Sequence, residues 1–330
     1  MQRLGICAAV LCASLFGSAA HAAYSGVFVF GDSLSDNGNV FRATFGEIET
    51  VPYTDLIPDR AYSSQRLSNG PVWVDLLGPR VSVAPIAPSL AFGTNFAFGG
   101  ARSGPLTGVT PDGIPTLQTQ VDTLLNFVPQ LPADALYVVW GAGNDARDAA
   151  VSGSTAAAQT IMADSLGNIG EMLGTLAGAG ARQFLVPNMP DLSRTPAVIA
   201  QGQDAQTGVH ALVQGYNSGL AGLLAALDAS PTLDIMTLDI YALITTVLDH
   251  PADFGFTNVT APCHFENAGQ GCSNPDEYFF WDGLHPTSAV HRLIADAVTA
   301  TVAPIPVPAT LPLLASALAV TAVWWRRRAA

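Results

Sequence analysis

Four short segments of this chain carry residue types that do chemistry. The first is Phe30-Gly31-Asp32-Ser33-Leu34-Ser35-Asp36-Asn37-Gly38-Asn39, directly after an apolar run. A serine on the turn leaving a strand presents its hydroxyl and its N–H at the sheet edge. A helix starting there adds positive potential. The segment is not a Gly-x-Ser-x-Gly elbow, because Ser35 stands two places after Ser33. The fourth segment is Phe280-Trp281-Asp282-Gly283-Leu284-His285-Pro286-Thr287. Asp and His three apart can share one turn, so the carboxylate can hold and polarise the imidazole. That supplies a base and its orienter for a nucleophilic serine. Between them lie Thr94-Asn95-Phe96-Ala97-Phe98-Gly99-Gly100-Ala101-Arg102-Ser103 and Trp140-Gly141-Ala142-Gly143-Asn144-Asp145. Paired glycines let a backbone approach a ligand, and the Asn144 amide at a strand end can donate to an oxyanion. Taken singly, each segment also has a plain structural reading. Gly-Asp-Ser is a common turn, a glycine pair suits any loop, and Asx residues favour turns. Asp282 could cap the helix that starts after Pro286.

The elements around these segments have a simple pattern. Residues 26–30 (GVFVF) read as a buried strand, and 95–98 as a shorter one. Residues 135–140 (ALYVVW), 182–186 (RQFLV) and 233–238 (LDIMTL) read as three more. Helical periodicity fills 116–127, 156–179, 210–227 and 287–302. Strands alternating with long helices imply right-handed crossovers and a mostly parallel sheet covered on both faces. The site of such a sheet lies outside the carboxyl ends of its strands, where the four segments fall. Residues 250–280 lack periodicity and read as an ordered loop. No internal repeat is visible.

In order and content the four segments resemble the GDSL (SGNH) hydrolase family over about residues 26–302. Val186-Pro187-Asn188-Met189-Pro190, Gly215-Tyr216-Asn217 and Cys272-Ser273-Asn274-Pro275 agree with it. The resemblance implies an α/β fold, a three-layer α/β/α sandwich of flavodoxin-like type with a mostly parallel central sheet. It matches Ser33 to the nucleophile, and Asp282 and His285 to the family's Asp and base. Backbone N–H of Ser33 and Gly100, with the Asn144 amide, match the oxyanion hole, and Gly99 is the fallback for Gly100. It implies ester hydrolysis through an acyl-enzyme, with no cofactor and no metal. Phospholipid-dependent acyl transfer on the same site, or a non-catalytic surface-binding module, are the alternatives. Substrates left open are lipid, short-chain ester and acetylated polysaccharide. One departure stands out: the family's third block is usually Gly-x-Asn-Asp, and Ala142 holds the glycine place.

The two ends differ from the middle. Arg3, the apolar residues 4–16 and small residues at Ala20, Ala22 and Ala23 form a signal-peptide pattern. Residues 1–23 are therefore expected to direct export through the Sec machinery, and 24–303 to form the hydrolase domain. In 304–330 a proline-rich spacer precedes an apolar run over 309–325, two tryptophans and Arg326 to Arg328. The layout resembles PEP-CTERM sorting signals of Gram-negative bacteria, which an exosortase recognises, although Val307-Pro308 is followed by Ala309 and no Glu. A plain membrane anchor is the competing reading. The protein is expected to be secreted or held at the envelope.

Charge narrows the partners. Of 330 residues 49% are hydrophobic and 12% charged, too apolar for disorder. There is no lysine. Without Arg3 and the terminal arginines, nine cations face 26 carboxylates, a net charge of −17. Such a surface repels nucleic-acid phosphates and disfavours docking on anionic lipid. Cys7 and Cys12 leave with the leader. Cys263 and Cys272 are an even pair in an exported protein and are expected to form a disulfide. A zinc site with His264 or His285 is the alternative.

Overall fold

Four of the five expected strands form in the computed structural model, which describes residues 24–44, 62, 64–104, 113–265 and 270–303. The expected leader and the tail beyond Ala303 lie outside the described residues. The strands are β1 (Val27–Gly31), β2 (Leu136–Trp140), β3 (Gln183–Pro187) and β4 (Asp234–Leu238). They pair in the order β1-β2-β3-β4, every pair parallel, with Val27 opposite Leu136 and Gln183 opposite both Leu136 and Asp234.

The segment expected as a second strand runs beside the outer edge of β1 without becoming a regular strand. The Val29 N–H donates to Thr94 and Val29 accepts from Phe96, and only an isolated bridge forms, at Asn95. The next rung would run from the Gly31 N–H to the Phe96 carbonyl, and the Gln120 side chain takes that N–H instead. On the side facing away from β1, Asn39 Nδ2 donates to the carbonyls of Asn95 and Ala97, and the Ala97 N–H donates to Asn95 Oδ1.

Nine helices surround the sheet among the described residues: α1 (Asn39–Thr44), α2 (Trp73–Arg80), α3 (Leu117–Phe127), α4 (Gly143–Ala150), α5 (Thr155–Gly178), α6 (Pro196–Ile199), α7 (Gln203–Asp228), α8 (Ile240–Asp249) and α9 (Ser288–Val302). Strand residues alternate between two cores. Phe30, Tyr137, Val139, Phe184 and Val186 face α3, α5 and α7, where Val121, Leu173 and Val213 are buried. Val29, Val138, Trp140 and Leu185 face α2, α8 and α9, where Trp73, Ile244 and Val298 are buried. Both sheet faces are covered, so the fold is a three-layer α/β/α sandwich. It also explains why the strands read as unbroken apolar runs rather than alternating ones.

Local signals set several boundaries. Thr116 and Ser154 accept the N–H groups of Thr119 and Ala157, capping α3 and α5. Helix α7 starts at Gln203, well before the expected residue 210, because its polar first two turns carry no apolar period. Residues 250–280 are not a plain loop. Strand β5 (Asn258–Pro262) pairs in parallel with β8 (Tyr278–Phe280), and β6 (His264–Phe265) pairs antiparallel with β7 (Gln270–Gly271). Strands this short leave no readable periodicity. The residues from Tyr24 to Val302 pack as one unit, and the Tyr24 hydroxyl donates to the Val302 carbonyl at 3.0 Å.

Candidate active site

The end of β1 is clamped before Ser33 is reached. A Cβ at Gly31 would lie 2.6 Å from the Trp140 carbonyl oxygen, so only glycine fits beside β2. The amide of Gln120, buried on α3, donates to the Gly31 carbonyl and accepts the Gly31 N–H, each at 2.9 Å. Sequence reasoning missed Gln120. A glutamine inside the apolar stripe Leu117, Val121 and Leu124 was the available signal.

Ser33 then sits in a tight turn, not at a helix N-terminus as expected. The Asp32 carbonyl accepts the N–H groups of Ser35 and Asp36, and Asp32 Oδ1 accepts that of Leu34 at 3.1 Å. The helix begins only at Asn39. Asp36 displaces it along the chain by capping it: Oδ1 accepts Gly38 and Asn39, and Oδ2 accepts Val40 and Gly99. Burial pushes the Asp36 carboxyl up, and those four N–H groups pull it back. Burial also raises Asp32, to about 6, against the lowering effect of the Leu34 N–H and the charge of His285.

The Asp-x-x-His turn follows β8. Asp282 does not cap α9; Asn69 does, accepting the Ser288 N–H at 2.7 Å. Asp282 Oδ1 accepts the N–H groups of Leu284 and His285, both at 2.7 Å, inside its own turn. Asp282 Oδ2 lies 2.7 Å from His285 Nδ1, and His285 Nε2 lies 2.9 Å from Ser33 Oγ. With Nδ1–H donated to the carboxylate, Nε2 is the free acceptor facing the serine. Exposure rises along this relay, from 1% at Asp282 through 3% at His285 to 7% at Ser33. The charged end is therefore dry and the hydroxyl is the accessible end. The arrangement can take the Oγ proton and hold it.

The glycine block and the Asn-Asp block are sewn together by three successive links. Asn144 Nδ2 donates to the Ala101 carbonyl at 2.9 Å. Ser103 donates through N and Oγ to Asp145, at 3.0 and 2.6 Å. Arg102 holds Asp148 through Nε and Nη2, at 2.8 and 3.0 Å. Asn144 keeps a second amide hydrogen to give, and it lines one cleft with Ser33 and His285. Gly100 is not a lining residue. It has φ 81°, a left-handed conformation that favours glycine. The fallback, Gly99, has its N–H committed to Asp36. Ala142 also adopts a left-handed conformation, φ 77°, and is fully buried as the residue preceding α4. That accounts for glycine being usual at this place.

The cleft beyond Ser33 is apolar. Leu34, Ile240, Ile244, Leu248, Phe279 and Leu284 line it. On the other side of the Asp-x-x-His turn, Cys263 and Cys272 are joined by a disulfide with their Cα atoms 4.9 Å apart. Each sulfur is bonded to the other, so neither is free to ligate zinc.

A family model described as GDSL-like Lipase/Acylhydrolase matches residues 27–298. The chain belongs to that family. The relatives include an uncharacterised Pseudomonas putida protein from a trpE-trpG intergenic region, 30% identical, the match covering 87% of this chain and 50% of that protein. The chain thus spans about half the length of that relative. An acetylesterase of Thermothelomyces thermophilus is 27% identical, with 82% and 86% covered. Among solved structures, an acetylxylan esterase from Geobacillus stearothermophilus aligns with a TM-score of 0.48 at 11% identity, over 86% of this chain and 97% of that one. Ester hydrolysis is the chemistry of the GDSL lipases and esterases.

Proposed function

We propose that this GDSL protein is an exported carboxylic ester hydrolase working through an acyl-enzyme on Ser33. The observation that carries this reading is the unbroken contact from Asp282 through His285 to Ser33 Oγ at an apolar cleft. As Oγ attacks the ester carbonyl carbon, Nε2 takes its proton, and Asp282 stabilises the resulting imidazolium. The carbonyl oxygen becomes an oxyanion, met by the N–H groups of Ser33 and Gly100 and by Asn144 Nδ2. Collapse expels the alcohol, which receives the proton from Nε2. Water then repeats the sequence and releases the acid.

The apolar walls of the cleft favour a hydrocarbon acyl group, because burying each CH₂ contributes about 0.8 kcal/mol. Residues 1–23 serve as the Sec leader. Residues 309–328 serve as a sorting signal for an exosortase, or remain as an anchor, which leaves the enzyme secreted or at the envelope.

The test is a fluorophosphonate probe on the purified protein, followed by p-nitrophenyl esters of rising chain length and an acetylated xylan. Labelling of Ser33, lost in Ser33→Ala, with turnover of at least one ester series is expected. Absence of labelling with a folded protein refutes the reading. Transfer to an added alcohol that outruns hydrolysis would make it an acyltransferase instead.

A further inference from the structure

Among the described residues, four donors meet the two oxygens of the Asp282 carboxylate. Backbone N–H groups of Leu284 and His285 fill Oδ1. His285 Nδ1 and the Tyr62 hydroxyl, the latter at 3.1 Å, share Oδ2. Three of these donors belong to the same turn as Asp282. Tyr62 comes from 220 residues away, and no local rule calls for it.

Tyr62 is held from two directions. Its N–H donates to the Arg66 carbonyl and its own carbonyl accepts the Gln65 N–H. Arg66 in turn grips Asp75 on α2 through Nε and Nη2, at 3.0 and 2.7 Å. The Tyr62 ring meets His264 and Trp281 edge-on, with centroids 5.2 and 5.6 Å apart. His264 and Trp281 stack on each other at 5.1 Å. His264 directly follows Cys263 on β6, and the disulfide closes that hairpin. Trp281 directly precedes Asp282. An aromatic hydroxyl is thus fixed by packing at the oxygen that orients the imidazole.

We propose that Tyr62 is a positioning residue for ester hydrolysis: its hydroxyl fixes Asp282 Oδ2 and limits how tightly that oxygen holds the His285 proton. The inference rests on the ester hydrolase reading. A donor on Oδ2 draws charge away from the bond to Nδ1. Removing it leaves a stronger acceptor, so the imidazolium is retained to higher pH and returns its proton to the leaving group less readily. Among the described residues, the other titratable or charged groups around His285 are Asp282 on its own turn, Asp32 after β1, His291 on α9 and, lining the same cleft, Arg147 on α4 and Asp191. All five remain when the Tyr62 hydroxyl is removed.

The experiment compares wild type, Tyr62→Phe and a Tyr62 replaced by difluorotyrosine. The readouts are kcat and KM on a soluble p-nitrophenyl ester and the pH dependence of inactivation by a fluorophosphonate. In Tyr62→Phe, which keeps the ring contacts, kcat is expected to fall about fivefold with KM unchanged. The acid limb is expected to rise by about half a pH unit. Difluorotyrosine, a stronger donor of nearly the same shape, is expected to move the limb down, and it carries the test if the Phe variant does not fold. A limb that stays in place in both variants overturns the proposal and makes Tyr62 a packing residue. If wild type neither turns over esters nor reacts with the probe, the hydrolase reading falls, and this proposal with it.

Discussion

Ser33 and His285 stand 252 residues apart in the chain, and their Oγ and Nε2 atoms lie 2.9 Å apart. Strands of two separate sheets make this contact. β1 delivers Ser33 at its carboxyl end, and β8 delivers the Asp282–His285 turn, tied by the Trp281 N–H to the His285 carbonyl and the Thr287 N–H to that of Phe279. Each member has one job, so their losses differ. Ser33→Ala and His285→Ala are each expected to lower kcat by on the order of a million-fold. Asp282→Asn is expected to cost nearer ten-thousand-fold, since it loses orientation and not the proton acceptor. Ester hydrolysis by the three variants, each with a wild-type circular dichroism spectrum, checks the order. Equal losses in all three would mean that Asp282 does more than orient.

The Cys263–Cys272 bridge spans nine positions, so chain entropy gives it about 2–3 kcal/mol of stabilisation. Its hairpin carries His264, which packs on Trp281 beside Asp282. Mild reduction is therefore expected to lower kcat before the near-ultraviolet spectrum of the core changes. Parallel loss of both signals would show that the hairpin supports the whole fold and not the site alone.

Some of this site was legible in the sequence and some was not, for physical reasons. Few residue types suit a nucleophile, a base or its orienter, so Ser33, Asp282 and His285 could be singled out as candidates from type and spacing, and the structure brings the three into contact. The four sheet strands were legible because burial on both faces forces continuous apolar runs. The stitches from Ala101, Arg102 and Ser103 to Asn144, Asp148 and Asp145 were not. Neither were the Gln120 clamp and the Tyr62 contact. Each joins side chains or backbone groups more than 40 positions apart, and no local pattern encodes the partner. The misplaced helix at Ser33 has a local cause: Asp32 and Asp36 use short side chains to satisfy N–H groups that a helix would otherwise take up.

Ala142 tests the one departure from the family pattern. A non-glycine residue in the left-handed region costs about 1–2 kcal/mol. Ala142→Gly relieves that, but it loses a buried methyl, about 0.8 kcal/mol, and loosens the unfolded chain less favourably by about 0.4–1 kcal/mol. The terms nearly cancel. A change within about 1 kcal/mol by urea denaturation is expected. Ala142→Val, β-branched at the same φ and with no space, is expected to destabilise strongly and to lower kcat by moving Asn144. A tolerant valine would mean that the turn before α4 is softer than its burial implies.

The tail can be removed if the core closes without it. The Tyr24 hydroxyl and the Val302 carbonyl already join the two ends of the packed unit. A chain truncated after Ala303 is expected to be soluble, with kcat unchanged on a soluble ester, while the full chain partitions with membranes unless processed. Mass spectrometry of the exported protein separates the two fates: loss of the apolar stretch supports sorting, and an intact end at Ala330 supports an anchor. Unfolding on truncation would place the tail in the core.

His291 is fully buried on α9, where its Nδ1 accepts the Trp73 N–H at 3.4 Å. Burial, and then the charge of His285, lower it to about 3. A group whose folded value is depressed below its unfolded value, about 6.5, binds more protons when the chain unfolds. Its effect is therefore to withdraw stability as pH falls from about 6.5 toward about 3. Between pH 7 and 4.5 that amounts to about 2–3 kcal/mol, at 1.36 kcal/mol per unit. Asp32 acts in the opposite sense. Its folded value is raised to about 6, so it withdraws stability as pH rises through 6 and returns part of it on acidification. Wild type should thus lose less on acidification than His291 alone dictates. His291→Asn, which removes the titrating ring, should become relatively more stable at pH 4.5 than at 7. Urea midpoints for wild type and variant at the two pH values give the comparison. If the variant's deficit is the same at both, His291 is not the group through which acid acts on this fold.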